Sequence, residues 1–346
     1  MKIKIQPQNP LEWIALKMNL APTPLVDTQL VFNSARAIMA AAELGIYEAL
    51  GKGSKTADEI AAACSTNAHA TTQLLNCLVG IGYLKYAEEK YSLKRKYHKW
   101  LLKESESNLI AKLRFQLIEW NWMAMLEDYV RTGKTLQLHN SVNEKEWNLY
   151  QEGMRDLSVT AAKDLGGKIP VPKNAIAMLD IGGSHGLYSI ELCKKHPALK
   201  STILELPGAI ETASAIAKRY DTTGRVEYKT GNALTDDIGT EQYDVIMINN
   251  VVHHFTPEQN NELAKKIAKA LKPGGIYIIG EFIRAEKPGE GGMIAAASGL
   301  YFSVISASGN WSAEEIQSWQ RNAGLKIEKP VTTVTMPGWK MMVSRK

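Results

Sequence analysis

A turn built around three glycines is the first stretch with chemical content. Met178-Leu179-Asp180-Ile181 is an apolar run of strand character, Gly182-Gly183-Ser184-His185-Gly186 follows at once, and Leu187–Lys195 reads as a helix. Glycines at such a turn let the backbone reverse sharply and approach a ligand closely. The next strand-like run ends at Leu204-Glu205-Leu206, which puts Glu205 about 20 residues beyond the turn, where a carboxylate can accept hydrogen bonds from both hydroxyls of an adenosine ribose. A dinucleotide would call for G-x-G-x-x-G, with pyrophosphate at the helix N-terminus. This turn reads G-G-x-x-G behind the acidic Asp180, which suits a cofactor carrying an amino group and a sulfonium rather than phosphates. A third run supplies Gly231-Asn232-Ala233, where an adenine would lie across the strand end. A tight turn with no ligand is the alternative that the motif alone leaves open.

These residues need a sheet to hold them. Short β-rich runs alternate with helical ones from Ile176 onward: Ile176–Ile181, Ser201–Leu206, Arg225–Thr230, Asp244–Asn249 and Ile276–Phe282, then a last pair near Leu325–Glu328 and Lys340–Ser344. That alternation predicts an α/β fold with a parallel, doubly wound sheet. Upstream, apolar residues recur at helical spacing from Asp27 to Leu50, with Gly45 and Gly51 as punctuation. Thr56 and Glu59 form a capping box ahead of one helix, and a second follows over Ala70–Ile81. Gly82–Tyr86 and Lys90–Leu93 then read as a hairpin, so the whole is a winged-helix pattern. Residues 108–166 are helical in character and rich in Trp and Tyr, and Pro170 and Pro172 end that stretch.

The chain has 346 residues, beyond the ~250–300 at which single cores stop growing, so two domains are expected. Cys64, Cys77 and Cys193 form no C-x-x-C pair, and no His cluster has metal-ligand spacing, so a metal is not expected. There is no apolar leader and no run of the ~18 apolar residues that a membrane span needs, so a cytoplasmic protein without membrane contact is expected. A net charge of +5 is a weak argument for nucleic acid. A winged helix also fits a DNA-binding regulator. The recognition-helix candidate Ala70–Ile81 carries no Arg or Lys, however, and the positive charge sits in the wing at Lys94, Arg95, Lys96 and Lys99. The apolar arm Leu11–Leu20 points to a homodimer instead.

Taken together, Leu179–Gly186, Leu204-Glu205-Leu206-Pro207, Gly231-Asn232-Ala233, Val252-His253-His254-Phe255 and Leu271-Lys272-Pro273-Gly274-Gly275 make the chain resemble a known family. It is similar over nearly its whole length to the class I methyltransferases of the plant caffeate and acetylserotonin O-methyltransferase type and their bacterial relatives. The resemblance implies S-adenosyl-L-methionine as cofactor. It implies a Rossmann-like methyltransferase domain over 173–346, a winged-helix dimerisation domain over 1–107, and a helical segment over 108–172 that contributes to the acceptor pocket. Carried over by position, Gly182, Gly183 and Gly186 shape the cofactor loop, Glu205 holds the ribose with Leu206 beside it as a further cofactor-binding residue, and Asn232 and Ala233 flank the adenine. Asn249 stands where plant members have a lysine near the cofactor, and Ser158 is placed to touch its methionine end. Ser184 replaces the usual middle glycine.

The resemblance also implies a catalytic pair. His253 occupies the place of the general base that takes the acceptor's proton, and Glu281 that of the acid orienting it, while a strand-end packing motif is the alternative reading of His253-His254-Phe255. A second acidic partner would align near Asn310, which is not an acid, and His254-Phe255 replaces the usual Asp-Trp. These departures keep N- or C-methyl transfer, and a cofactor-binding cyclase of natural-product biosynthesis, as alternatives to methyl transfer onto a hydroxyl. Met293, Tyr301 and Phe302 are expected to wall the acceptor pocket.

Overall fold

The structure, a computed structural model, describes residues 6–136 and 142–346. The chain forms two compact units, Met1–Glu119 and Trp120–Lys346.

The first unit opens with helix α1 (Pro10–Lys17), capped by Asn9. No residue of α1 is buried, and Leu11, Trp13 and Ile14 are exposed. A short α2 (Thr23–Leu25) and a π-helical turn, Val26–Leu30, lead into α3 (Val31–Glu43). Gly45, at φ 76°, separates α3 from α4 (Ile46–Leu50). Glycine alone takes that left-handed conformation without steric cost, so the expected helix up to Leu50 is cut here. The capping box forms as expected: Glu59 Oε2 accepts the Thr56 amide at 2.8 Å and Thr56 Oγ1 accepts that of Glu59 at 3.3 Å, starting α5 (Ala57–Cys64). Helix α6 (Ala68–Gly80) starts slightly before the predicted Ala70 because Asn67 caps it. Strands β1 (Leu84–Ala87) and β2 (Lys90–Leu93) pair antiparallel through Glu88 and Glu89, both at positive φ. The short α7 (His98–Leu101) follows. Tyr47, Leu50, Ile60, Leu75 and Leu84 fill the core of this winged helix.

Helix α8 (Ile110–Met123) runs on into the second unit, followed by α9 (Leu126–Thr132) and α10 (Glu144–Leu165). Strands β3 (Ala177–Ile181), β4 (Lys200–Glu205), β5 (Val226–Thr230), β6 (Tyr243–Asn249) and β7 (Leu271–Phe282) are mutually parallel. Strand β7 begins at Leu271 rather than at the expected Ile276, with a register shift against β6 at its start. Strands β8 (Lys326–Ile327) and β9 (Val331–Thr332) both pair with the antiparallel β10 (Trp339–Arg345). The order is β5-β4-β3-β6-β7-β10-β8. Helices α11 (Leu187–Lys195), α12 (Ile210–Tyr220), α13 (Pro257–Ala270), α14 (Gly292–Ile305) and α15 (Ala313–Asn322) complete the unit.

Both faces of the sheet are covered. Met178, Met247 and Ile278 pack with residues of α10 and α11, while Leu179, Ile248 and Ile279 pack with α13 and α15. Two-sided burial is why these strands read as unbroken apolar runs. The chain moves outward from β3 through β4 to β5, then returns to the other side of β3 as β6. The reversal point, between the C-terminal ends of β3 and β6, is where such sheets leave a crevice for a ligand.

Gly280 lies in β7 beside Asn249, and a side chain there would collide with Asn249 Oδ1 and the Trp339 ring. The substitution Gly280→Ala should therefore destabilise this unit by about 1–3 kcal/mol through overpacking. A thermal melt of the variant checks this, and an unchanged midpoint would refute the packing argument.

Candidate active site

The glycine turn after β3 is too tight for side chains. A Cβ at Gly183 would stand 2.6 Å from the Asp180 carboxylate, one at Gly182 2.8 Å from Val251 Cγ2, and one at Gly186 2.9 Å from Ile203 Cδ1. Gly182 and Gly186 sit at φ 65° and 71°, and Ser184 sits at φ 45° despite its Cβ. Two contacts hold Ser184 there: its amide donates to Glu205 Oε1 at 2.8 Å, and Tyr228 donates its hydroxyl to the Ser184 carbonyl at 2.6 Å. Glu205 Oε2 accepts the Leu206 amide at 3.2 Å. The Glu205 carboxylate thus joins the end of β4 to the turn after β3, and Leu206 beside it is exposed. Burial pushes the Glu205 carboxyl up, and the two amide bonds oppose that.

Asp180 is 1 % exposed and its carboxylate reaches inward. Ser189 donates to Asp180 Oδ2 at 2.7 Å, and Ser201 donates to Ser189 at 2.9 Å, fixing the start of α11. Burial pushes the Asp180 carboxyl up to about 7; the Ser189 bond opposes this and the Glu205 charge adds to it.

His185, inside the turn, is buried. Its Nδ1 accepts the Leu187 amide at 3.2 Å, so in the neutral ring Nε2 carries the hydrogen and donates it to Ser158 Oγ at 3.0 Å. Burial, and next the nearby Arg155, hold its pKa down at about 3, which keeps the ring neutral. Ser158 therefore meets the glycine turn from α10. Gln151, also on α10, donates to the Ala209 carbonyl at 3.1 Å beyond β4.

After β5 the chain turns tightly. Asn232 Oδ1 accepts the Leu234 amide at 3.0 Å, while Ala233 is buried in the core. Lys266 on α13 donates to the carbonyls of Ala233, Leu234 and Asp236 at 2.9, 3.0 and 2.9 Å, using all three ammonium hydrogens.

Beyond β6, a 3-10 turn, Val252–His254, carries the second half of the site. His253 Nδ1 lies 2.8 Å from Glu281 Oε2, and Glu281 Oε1 accepts the Phe282 amide at 2.9 Å. A carboxylate that accepts at Nδ1 fixes the hydrogen there, which leaves Nε2 as the basic atom of the neutral ring. The ring is 3 % exposed, between His254 at 4.2 Å and Phe302 at 4.4 Å. Trp311 Nε1 and Asn260 Nδ2 both donate to the Val252 carbonyl, at 2.9 and 3.0 Å, and pin the turn.

Residues 124–326, more than half the chain, match the O-methyltransferase domain, and residues 26–99 match the O-methyltransferase dimerisation domain. This chain belongs to the S-adenosylmethionine-dependent O-methyltransferase family. It is 23% identical to a Streptomyces sahachiroi 3-hydroxy-5-methyl-1-naphthoate 3-O-methyltransferase, over 88% of this chain and 89% of that one. It is 26% identical to a mitomycin biosynthesis 6-O-methyltransferase of Streptomyces lavendulae, over 85% of this chain and 86% of that one. Human N-acetylserotonin methyltransferase, solved in complex with S-adenosylmethionine, shares the fold at a TM-score of 0.83 and 18% identity, with 99% of each chain covered.

In this methyltransferase the sheet edge brings together Gly182, Gly183, Gly186, Glu205 and Leu206. Ser158 joins them through His185. Asn249, at the end of β6, is half-buried with neither amide atom partnered. The winged helix is the segment matched by the dimerisation domain. Among the described residues no helix is long and apolar enough to cross a membrane. The sequence reading missed His185, Gln151, Lys266 and Trp311 as positioning residues. Their partners lie 27, 58, about 30 and 59 residues away, and no local motif announces such bonds.

The raised carboxyl of Asp180 gives a pH test. The unfolded chain releases this proton near pH ~4, and the native state holds it to about 7. Between those values the native state binds more protons, so the contribution of Asp180 to stability falls as pH rises. Melting temperatures across that window should therefore drop more steeply for the native chain than for Asp180→Asn, which has no proton to lose. Parallel slopes would refute the buried-carboxyl assignment.

Proposed function

We propose that this protein transfers a methyl group from S-adenosylmethionine to a hydroxyl of a small aromatic or polyketide-like acceptor, with His253 as the general base. The pairing of His253 Nδ1 with Glu281 Oε2 at 2.8 Å carries this reading. Bound S-adenosylmethionine supplies an electrophilic methyl group on a sulfonium.

The residues at the sheet edge fit such a cofactor. The glycines let the turn pack tightly against Asp180, Val251 and Ile203, and Glu205 keeps acceptor capacity beyond its two amide bonds, enough for ribose hydroxyls. Leu206, Asn232 and Ala233 would border the adenosine, and Ser158, Asp180 and Asn249 the methionine end. His253 Nε2 takes the proton of the acceptor hydroxyl, and the Glu281 carboxylate holds the ring in place and balances the charge that forms on it. Holding the reacting oxygen in line supplies several kcal/mol more. The 3-hydroxy-5-methyl-1-naphthoate named for one Streptomyces relative supports an aromatic acceptor.

His253→Ala should lower kcat about 10²–10⁴-fold on the true acceptor while leaving cofactor affinity near the wild-type value. The loss should shrink as pH approaches the acceptor's own pKa, because a phenolate needs no base. Glu281→Gln should cost less, since the imidazole remains. Assays with labelled S-adenosylmethionine and a panel of phenols, amines and polyketide-like acceptors read both rate and methylated atom. Full activity of His253→Ala at neutral pH would refute the base assignment.

We further propose that the chain works as a homodimer joined through its dimerisation domain. Exposed Leu11, Trp13, Ile14, Met18 and Leu20 give that unit an apolar surface that a monomer would leave in water. Sedimentation at micromolar concentration should show a dimer, and truncation before Thr23 should weaken it. A monomer of the full chain would overturn the proposal.

A further inference from the structure

Asn310 follows the left-handed Gly309, at φ 72°, in the segment between α14 and α15. It is 4 % exposed. A carboxamide has two unlike ends, and the geometry here distinguishes them. The Phe282 carbonyl only accepts, so the end 3.3 Å from it is Nδ2, which donates. Asn310 Oδ1 then faces the other way, buried and without a partner. Leaving a buried acceptor unmade is costly, and such an atom calls for a ligand or water to complete it.

The surroundings say which site it borders. Phe282 directly follows Glu281, whose carboxylate holds His253. The Phe302 ring packs on His253 at 4.4 Å and faces Phe282 at 6.0 Å. Gly299 lies one turn before Phe302 on α14, and a Cβ there would stand 3.5 Å from Asn310 Oδ1. The unpartnered oxygen therefore sits at the aromatic wall that backs the base, on a side where glycine keeps the helix slim.

We propose that Asn310 Oδ1 recognises the acceptor molecule: it takes a hydrogen bond from a second O–H or N–H donor placed near the hydroxyl that loses its proton. The proposal rests on the reading of His253 as the base, since that fixes where the reacting hydroxyl lies. It also sets a class of acceptor. A neutral oxygen welcomes a hydroxyl, an amine or an amide N–H. It disfavours a carboxylate at the same place, which brings only lone pairs. The acceptor is thus an aromatic hydroxyl compound with a neighbouring neutral or cationic donor.

Binding measured by calorimetry with S-adenosylhomocysteine present tests this without requiring turnover. The probes are a vicinal naphthalenediol, the matching naphthol and the matching hydroxynaphthoate. The wild-type chain should bind the diol about tenfold or more tighter than the naphthol, the penalty expected when a built polar contact goes unmade. It should bind the hydroxynaphthoate more weakly than the diol. Asn310→Leu and, as a milder change, Asn310→Ala should bind diol and naphthol alike while keeping affinity for S-adenosylhomocysteine. A merely structural role would weaken all probes together and leave their ratio unchanged. A diol preference that survives both substitutions, or a wild-type chain that shows none, overturns the proposal. Methyl transfer to the diol is read separately: a chain that prefers the diol but keeps full activity as His253→Ala would overturn the base reading and leave the recognition standing.

Discussion

Two backbone amides from different parts of the chain, those of Ser184 and Leu206, converge on the Glu205 carboxylate. The glycine turn after β3 depends on that convergence. Ser184 carries a side chain through a left-handed conformation that L residues seldom adopt, and nothing local favours it. Glu205 from the neighbouring strand, with Tyr228 on the Ser184 carbonyl, holds the turn in that shape. The same carboxylate keeps acceptor capacity beyond these two bonds, so the side chain that shapes the turn is not used up by it.

The sheet makes this convergence possible. Asp180 and Glu205 stand near the ends of adjacent parallel strands, and Asn249 ends the strand on the other side of β3. Alternation along each strand then assigns faces. Asp180 follows Met178, and Asn249 follows Met247, toward the α10 and α11 side, whereas Glu281 follows Ile279 toward α13 and α15. Asp180 and Asn249 thus stand on one face of the sheet and Glu281 on the other.

That division explains what the sequence disclosed. The five parallel strands were legible because burial on both faces leaves continuous apolar runs, and the capping box at Thr56 because its two partners are neighbours in sequence. The glycine turn and Glu205 were legible from spacing alone; the histidine and its carboxylate needed the family resemblance. The bond of Asp180 to Ser189 was hidden, because it becomes visible only when α11 folds back over β3. The partners of His185 and Trp311 were hidden for the same reason, since tertiary hydrogen bonds across 27 and 59 residues leave no periodic trace.

The two buried histidines of the site show how partners divide roles between identical side chains. His185 accepts an amide at Nδ1 and donates to a neutral hydroxyl at Nε2, with Arg155 nearby. Every neighbour in that set favours the uncharged ring, and both nitrogens are occupied, so it can brace a loop but cannot exchange a proton. His253 has a carboxylate at Nδ1 and the tilted His254 and Phe302 rings beside it. That carboxylate fixes the hydrogen on Nδ1, and Nε2 is the nitrogen that carries none in the neutral ring. The difference between the two rings lies in whether Nδ1 meets an amide N–H, which puts the hydrogen on Nε2, or a carboxylate oxygen, which keeps it on Nδ1.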